Sequence, residues 1–307
     1  CKLLEESRMS ILEEMAAATA GVAAAAGGAV VRIGRHEGRG MGAVVAPNTV
    51  LTSAHNLRGE EVTVTFADGR SLVASVKGVD TDGDVAVVEV DTGAVTPLGW
   101  SPTEGSLGLG TVVFALALPP GSGGVRVTSG SVSALGRAFR GPRGRLIADA
   151  VEHTAPLGRG SSGGPLVDAE GRLVAINTHR PGDGLYLARP ATQALKDRVE
   201  ALARGEAPVR RRLGVALTPP PVARRLRAAV GLPARDGVLV RDVADDSPAA
   251  AAGLLRGDLI VSAGGADVTS FDALLSAVDA VGADGVLSLS VLRGTEEITV
   301  EVRFEPA

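Results

Sequence analysis

From Ala29 to about residue 190 the sequence contains no stretch with the 3.6-residue apolar period of a helix; alternating apolar residues and glycine-bearing turns follow one another instead. This absence constrains the fold more than any other feature. Parallel strands need long crossover connections, usually helical, so a strand-only stretch of this length must pair its strands antiparallel. Val62-Thr63-Val64-Thr65-Phe66 alternates, Asp68-Gly69 supplies a turn, and Leu72, Ala74 and Val76 resume the alternation, which predicts a β-hairpin. Pro165-Leu166-Val167, the turn Asp168-Ala169-Glu170-Gly171 and the run Leu173 to Asn177 predict a second. Such hairpins fit antiparallel sheets that close into barrels. With 41 glycines and 17 prolines against 2% aromatic residues, turns are plentiful, and the expected fold class is mostly β.

Helical signals lie at the two ends of this stretch and beyond it. Residues 2–19 read as an amphiphilic, Ala-rich helix, and Gly27-Gly28 breaks the pattern before a strand opens at Ala29. The next helix follows Pro190, with Leu195, Val199 and Leu202 on one face and Gly205 as its stop. Glu206 to Arg212 is short, charged and contains Pro208, and reads as a linker. After it come strands at Leu213–Leu217 and Val238–Val240, and a helix capped by Ser247 with Pro248 in its first turn. A helix starting at Ser270 and a hairpin pairing Val286–Val291 with Ile298–Val302 complete the chain. The predicted organisation is an N-terminal segment 1–28, a strand-rich domain 29–205, a linker 206–212 and a compact α+β domain 213–307. A chain of 307 residues is also longer than one core needs.

A net charge of −4 offers no electrostatic footprint for nucleic acid, so none is expected as a partner. The single cysteine, Cys1, allows no intramolecular disulfide. The uncharged stretch Met15–Val31 is short and Ala/Gly-rich for a membrane span, and Glu13 and Glu14 stand where the apolar region of a signal peptide would begin.

Gly160-Ser161-Ser162-Gly163-Gly164-Pro165 is the most informative hexapeptide, and it matches several templates. Gly158, Gly160 and Gly163 have dinucleotide-loop spacing, but that site needs a helix N-terminus directly after it, and here Pro165 and a hairpin follow. Gly160-x-Ser162-x-Gly164 has the spacing of a hydrolase nucleophile elbow, which also demands a helix. The template that fits is His, then Asp, then Ser in chain order: His55 after a strand beginning near Val44, Asp84 within Asp80 to Val87, and Ser162. Asp80 and Asp82 compete with Asp84, whose place at the start of the apolar run Val85-Ala86-Val87 lets its carboxylate be held. A serine hydroxyl is a poor nucleophile until an imidazole takes its proton, and the imidazole needs a carboxylate to fix its tautomer. Glycines around the serine let backbone N–H groups converge on an oxyanion. Gly160, Ser161 and Ser162 are therefore the expected oxyanion hole, with the N–H groups of Gly160 and Ser162 as donors. His36, His153 and His179 read as surface or structural residues, and their spacing suggests no metal site.

Thr52-Ser53-Ala54-His55, Asp80 to Val87, Val127 to Arg137 and Gly160 to Leu166 together resemble the HtrA/DegP family of trypsin-like serine proteases with a C-terminal PDZ domain. Leu213-Gly214-Val215, Ser247 to Gly253 and Arg256-Gly257-Asp258-Leu259-Ile260 resemble that PDZ module, and the likeness covers residues 29–307. Two positions depart from the family: Ser161 stands where Asn is usual, and Gly40-Met41-Gly42 where Gly-Ser-Gly is usual. The resemblance implies a trypsin-like double β-barrel followed by a small α+β PDZ domain. It further implies a serine endopeptidase that cleaves unfolded or misfolded polypeptides through a triad and an acyl-enzyme, with no metal or organic cofactor. A homo-oligomer, commonly a trimer, and a bacterial cell-envelope location belong to the same implication, although no export signal is visible. In the trypsin-like fold the residue six before the nucleophile floors the primary specificity pocket; here it is Pro156, beside Leu157, which implies small or medium aliphatic side chains in that pocket. Leu213, Gly214 and Val215 would form the PDZ carboxylate loop and edge strand, with Leu274 and Val278 lining the side-chain pocket. A C-terminal peptide would then add as a strand, with Arg212 near its carboxylate. The competing reading is a catalytically silent peptide-binding or chaperone-like protein on the same fold.

Overall fold

A computed structural model describes residues 10–34, 40–101, 107–121, 123–141, 146–182, 184–206, 211–281 and 285–304. Cys1, His36, residues 2–9 of the first predicted helix and residues 207–210 of the linker lie outside them. The chain divides into two compact units, Cys1–Pro208 and Val209–Ala307.

The first unit contains two six-stranded closed barrels. Strands β1 (Val30–Ile33), β2 (Gly40–Ala46), β3 (Thr49–Thr52), β4 (Glu61–Phe66), β5 (Ser71–Asp80) and β6 (Val85–Glu89) make the first, in the order β1-β2-β3-β6-β5-β4. It closes because β1 pairs antiparallel with both β2 and β4. Strands β7 (Val112–Ala117), β8 (Arg126–Arg140), β9 (Leu146–His153), β10 (Pro165–Val167), β11 (Leu173–Gly182) and β12 (Leu185–Pro190) make the second, in the order β10-β11-β12-β9-β8-β7. All pairings between these strands are antiparallel, as strands without crossover helices require, and among the described residues a single parallel bridge joins Trp100 to Leu173. Both sequence-predicted hairpins are present, as β4–β5 and β10–β11.

Helix α1 (Ile11–Ala26) begins at a capping box, in which Ser10 and Glu13 each hydrogen-bond the other's backbone N–H. It runs past the predicted end at residue 19, because the alanines after Gly21 keep helix propensity high until Gly27. Val22 and Ala26 enter the same core as Val30, Val50, Val64 and Phe66, so the N-terminal helix is part of this unit. Helix α2 (Gln193–Ala203) buries Leu195, Val199 and Leu202 in that core, the face read from sequence. Each such buried aliphatic side chain contributes ~1.5–3 kcal/mol. One expectation fails: the strand beginning near Val44 and ending at His55 is two strands, β2 and β3. They are joined through Asn48, whose φ of 59° is left-handed and whose N–H and Oδ1 both bond Thr92. Asparagine tolerates that conformation because its short amide can bond locally.

The second unit is an antiparallel sheet of β13 (Val215–Thr218), β14 (Val238–Val243), β15 (Leu259–Ala263), β17 (Val286–Arg293) and β18 (Glu296–Arg303). The short β16 (Ala266–Asp267) pairs with β15. Three helices accompany it: α3 (Pro220–Ala229), α4 (Pro248–Ala251) and α5 (Phe271–Asp279). Helix α3 is absent from the sequence reading, since Pro219-Pro220-Pro221 looks like a breaker, yet proline is tolerated in a first helical turn. Among the described residues, strand β13 pairs with one neighbour only, β14.

Candidate active site

Three segments of the first unit meet at His55. A single helical turn, Ala54–Asn56, follows β3 and carries it. Its Nδ1 lies 2.9 Å from both carboxylate oxygens of Asp84, and its backbone N–H donates to Asp84 Oδ1 at 3.1 Å. Asp84 is buried, has a left-handed φ of 51° at the entry to β6, and accepts a third donor, Thr178 Oγ1 from β11, at 2.8 Å. An imidazole whose Nδ1 faces a carboxylate keeps its proton there, which leaves Nε2 as a free base. Of the three acids left open by sequence, only Asp84 pairs with His55. Asp80 accepts the Gly83 N–H at 2.8 Å and lies 3.9 Å from Arg198 Nε on α2.

Ser162 sits on the loop before β10 of the second barrel, and its backbone is tied to the first barrel. Its carbonyl accepts the Met41 N–H at 2.8 Å and Asn56 Nδ2 at 2.9 Å. Gly163 donates to Asn177 O at 2.6 Å with a φ of 86°, and a Cβ there would lie 2.2 Å from Met41 O, so only glycine fits. The Ser162 hydroxyl donates to Thr178 O at 2.9 Å; among the described residues no hydrogen bond joins it to His55. Thr178 thus touches both partners, its hydroxyl on the acid and its carbonyl on the serine. Gly160 is exposed with a φ of 76°, while Ser161 is buried and its carbonyl accepts the Gly164 N–H at 3.0 Å.

Two further groups support this geometry. Arg189 of β12 donates to the Gly83 carbonyl, one residue from Asp84, so the second barrel braces the turn that carries the acid. Burial and the nearby Arg198 charge lower the Arg189 pKa, and the negative charge of Asp84 opposes that shift. His153 is fully buried, stacks on Tyr186 and bonds Asn177 Oδ1 through Nε2 at 2.8 Å. Burial pushes its pKa down to about 4 despite the Asn177 bond, so it stays neutral. Asn177 in turn donates to Gly164 O at 3.1 Å, under the serine loop. Among the described residues no group of three His, Cys, Asp or Glu side chains is arranged to hold a metal.

The trypsin-like peptidase domain model matches residues 40–176 and the PDZ domain model residues 213–304. A protein of Synechocystis named as the serine protease HhoA is 32% identical over 88% of this chain and 71% of its own length. The chain belongs to the HtrA/DegP family of serine proteases. A periplasmic DegP-like serine endoprotease of Halomonas elongata is 34% identical over 82% of this chain, which spans only 53% of that relative. Among solved structures, the HtrA-type protease AlgW with a decapeptide shares the fold, with a TM-score of 0.76 at 24% identity, covering 94% of this chain and 99% of that one.

In this HtrA/DegP-family chain two cavities flank Ser162. The larger, about 200 Å³, is lined by Leu157, Arg159, Ser162, Arg180, Tyr186 and Leu187 among others. The smaller, about 60 Å³, is bounded by Met41, Pro120, Arg126, Thr128 and Pro156 and shares the wall Leu157–Ser161. Pro156 therefore borders the smaller cavity and not the one containing Ser162, whereas Leu157 borders both. In the second unit, Gly214 has a φ of 80°, and a Cβ there would lie 2.2 Å from the Ser247 side chain. Leu213 O and Gly214 O accept the N–H groups of Ala249 and Ala244, and half-buried Val215 opens the edge strand β13. Leu274 and Val278 are 2% and 3% exposed, inside the core with Leu213, Val240 and Leu289. Sequence reasoning missed Asn56, Thr178, Arg189, Arg180 and Tyr186. Asn56, directly after the histidine, offered a signal; the others act through pairings between barrels or strands, which spacing does not report.

Proposed function

We propose that this chain is a serine endopeptidase in which His55, Asp84 and Ser162 form the triad. The observation that carries this reading is the His55 Nδ1 pairing with a buried Asp84 that already accepts two further donors, opposite a serine fixed by its own backbone. Ser162 Oγ attacks the scissile carbonyl carbon while its proton passes to His55 Nε2. The carbonyl π electrons move onto oxygen, where the N–H groups of Gly160 and Ser162 stabilise the oxyanion. Collapse expels the amine, which takes the proton back from the imidazolium, and leaves an acyl-enzyme. Water, deprotonated by the same imidazole, releases the acid and restores the serine. Asp84 keeps the imidazole in its Nδ1–H tautomer and balances the imidazolium charge.

The substrates proposed are unfolded or misfolded polypeptides, a reading supported by membership of the HtrA/DegP family and by the exposed position of His55 beside the serine loop. Strand β13, whose outer edge pairs with no strand among the described residues and into which Gly214 leads, suits a C-terminal peptide adding as a further strand in the second unit. Buried Leu274 and Val278 would then form the floor of that groove and not its rim. The description of relatives as periplasmic supports an envelope location, and among the described residues no helix is long and apolar enough to cross a membrane. Family resemblance also supports a homo-oligomer.

A second reading, a binding protein with a silent triad, is favoured by one observation, the Ser162 hydroxyl resting on Thr178 O. Fluorophosphonate labelling and casein cleavage by the wild type and Ser162→Ala separate the two. Labelling and cleavage that both vanish in the variant support the peptidase; a folded wild type that neither labels nor cleaves supports the silent binder. Labelling that persists in Ser162→Ala would remove Ser162 as the nucleophile.

A further inference from the structure

The walls of the cleft carry charge that the rest of the surface does not predict. The chain is acidic overall, with a net charge of −4, yet Arg159 and Arg180 line the cavity containing Ser162, and Arg126 lines the adjoining one. All three are exposed. Among the described residues none of them has a carboxylate partner, and no Asp or Glu lines either cavity. Most other exposed arginines of this unit are paired: Arg70 with Asp68, Arg137 with Glu152, Arg172 with Asp168 and Arg204 with Glu206. Arg180 is also oriented, its guanidinium lying 5.6 Å from the centre of the Tyr186 ring on the cavity wall. Unpaired cations in a concave surface concentrate anions and strengthen their hydrogen bonds as a bound chain displaces water.

We propose that the cleft selects polypeptide segments carrying an aspartate or glutamate in or beside the pocket next to the scissile bond, with Arg159 and Arg180 as the specificity-determining residues. This rests on the peptidase reading for its consequence in catalysis, but not for binding. The aliphatic and aromatic walls from Leu157, Leu187 and Tyr186 hold the carbon part of the side chain, and the two guanidinium groups receive the carboxylate. Glutamate suits this division better than a purely aliphatic residue, because its stem is apolar and its head anionic.

The test compares pairs of quenched fluorescent peptides that differ only by Glu or Gln, scanned through the four positions before the cleaved bond. In parallel, the same peptides are titrated onto Ser162→Ala by fluorescence anisotropy. The expected result is a roughly 3–10-fold advantage for Glu at one or two positions in 50 mM salt, falling as salt rises, as exposed ion pairs do. Arg159→Gln and Arg180→Gln should each shrink the Glu/Gln ratio, and Arg180→Glu should reverse it in favour of Lys at the same position. A ratio near one at every position, in cleavage and binding alike, overturns the inference. Binding that prefers Glu while the wild type cleaves nothing would sustain the selectivity and remove the peptidase reading instead.

Discussion

Arg189 brings a positive charge from β12 of the second barrel to the turn that holds Asp84 of the first, and its bond to Gly83 O fixes that turn from behind. Removing it costs the turn a donor and takes a cation from the neighbourhood of the acid–imidazole pair. In Arg189→Met the turn loses that donor, and kcat/KM at neutral pH should fall about tenfold, the loss of roughly one hydrogen bond's worth of positioning. Unchanged kcat/KM in the variant would mean that the turn holds Asp84 without the brace. The members of the proposed triad stand out in the sequence because each sits in its own recognisable run of text, Thr52 to His55, Asp80 to Val87 and Gly160 to Leu166. Arg189 and Thr178 do not, because their roles arise when β11 and β12 are laid against turns about a hundred positions away in the chain.

The serine loop works as an element because its backbone is over-determined. Ser162 O has two donors, Gly163 N–H reaches Asn177 O, and Gly164 is held from both Ser161 and Asn177. Gly163→Ala would push a Cβ against Met41 O at a positive φ, so the loop must shift. A displacement near 1 Å of a catalytic group can cost about 100-fold in rate. We expect kcat/KM to fall by roughly that factor while far-UV circular dichroism stays that of the wild type; near-normal turnover would mean the loop is not held as described. Hairpins such as β4–β5 were legible because alternation and a glycine turn coincide. The β2–β3 turn at Asn48 was not, since its partner Thr92 lies beyond the next four strands, and α3 was hidden by a triple proline that the helix accommodates in its first turn.

At the scale of the molecule, stability and acidity are linked through a histidine that takes no part in the proposed chemistry. In the unfolded chain an imidazole titrates near 6.5, whereas folded His153 titrates at about 4. The unfolded state therefore binds the proton first as pH falls. The stability this burial lends is complete above about pH 6.5 and drains away towards pH 4, a loss on the order of 3 kcal/mol. Urea unfolding of the wild type and His153→Gln at pH 7.5, 6 and 5 should show the variant losing less stability on acidification; parallel losses would assign the acid sensitivity to other groups. The mostly β, antiparallel character of the first unit was legible because the lack of a helical period before residue 190 is a feature of a long stretch and survives local misreadings, whereas the number of barrels came only with the family resemblance.

Under the proposed mechanism, one hydrogen bond sets how often the serine is ready to react. While Ser162 Oγ rests on Thr178 O, the hydroxyl must give up that bond before its proton can move to His55. A neutral hydrogen bond is worth about 1 kcal/mol net, so at any instant only about one molecule in six holds its serine free. If the proposed triad acts, occupancy of that bond throttles it, and any contact that engages the Thr178 carbonyl in the serine's place should raise the reactive fraction without altering a side chain of the triad.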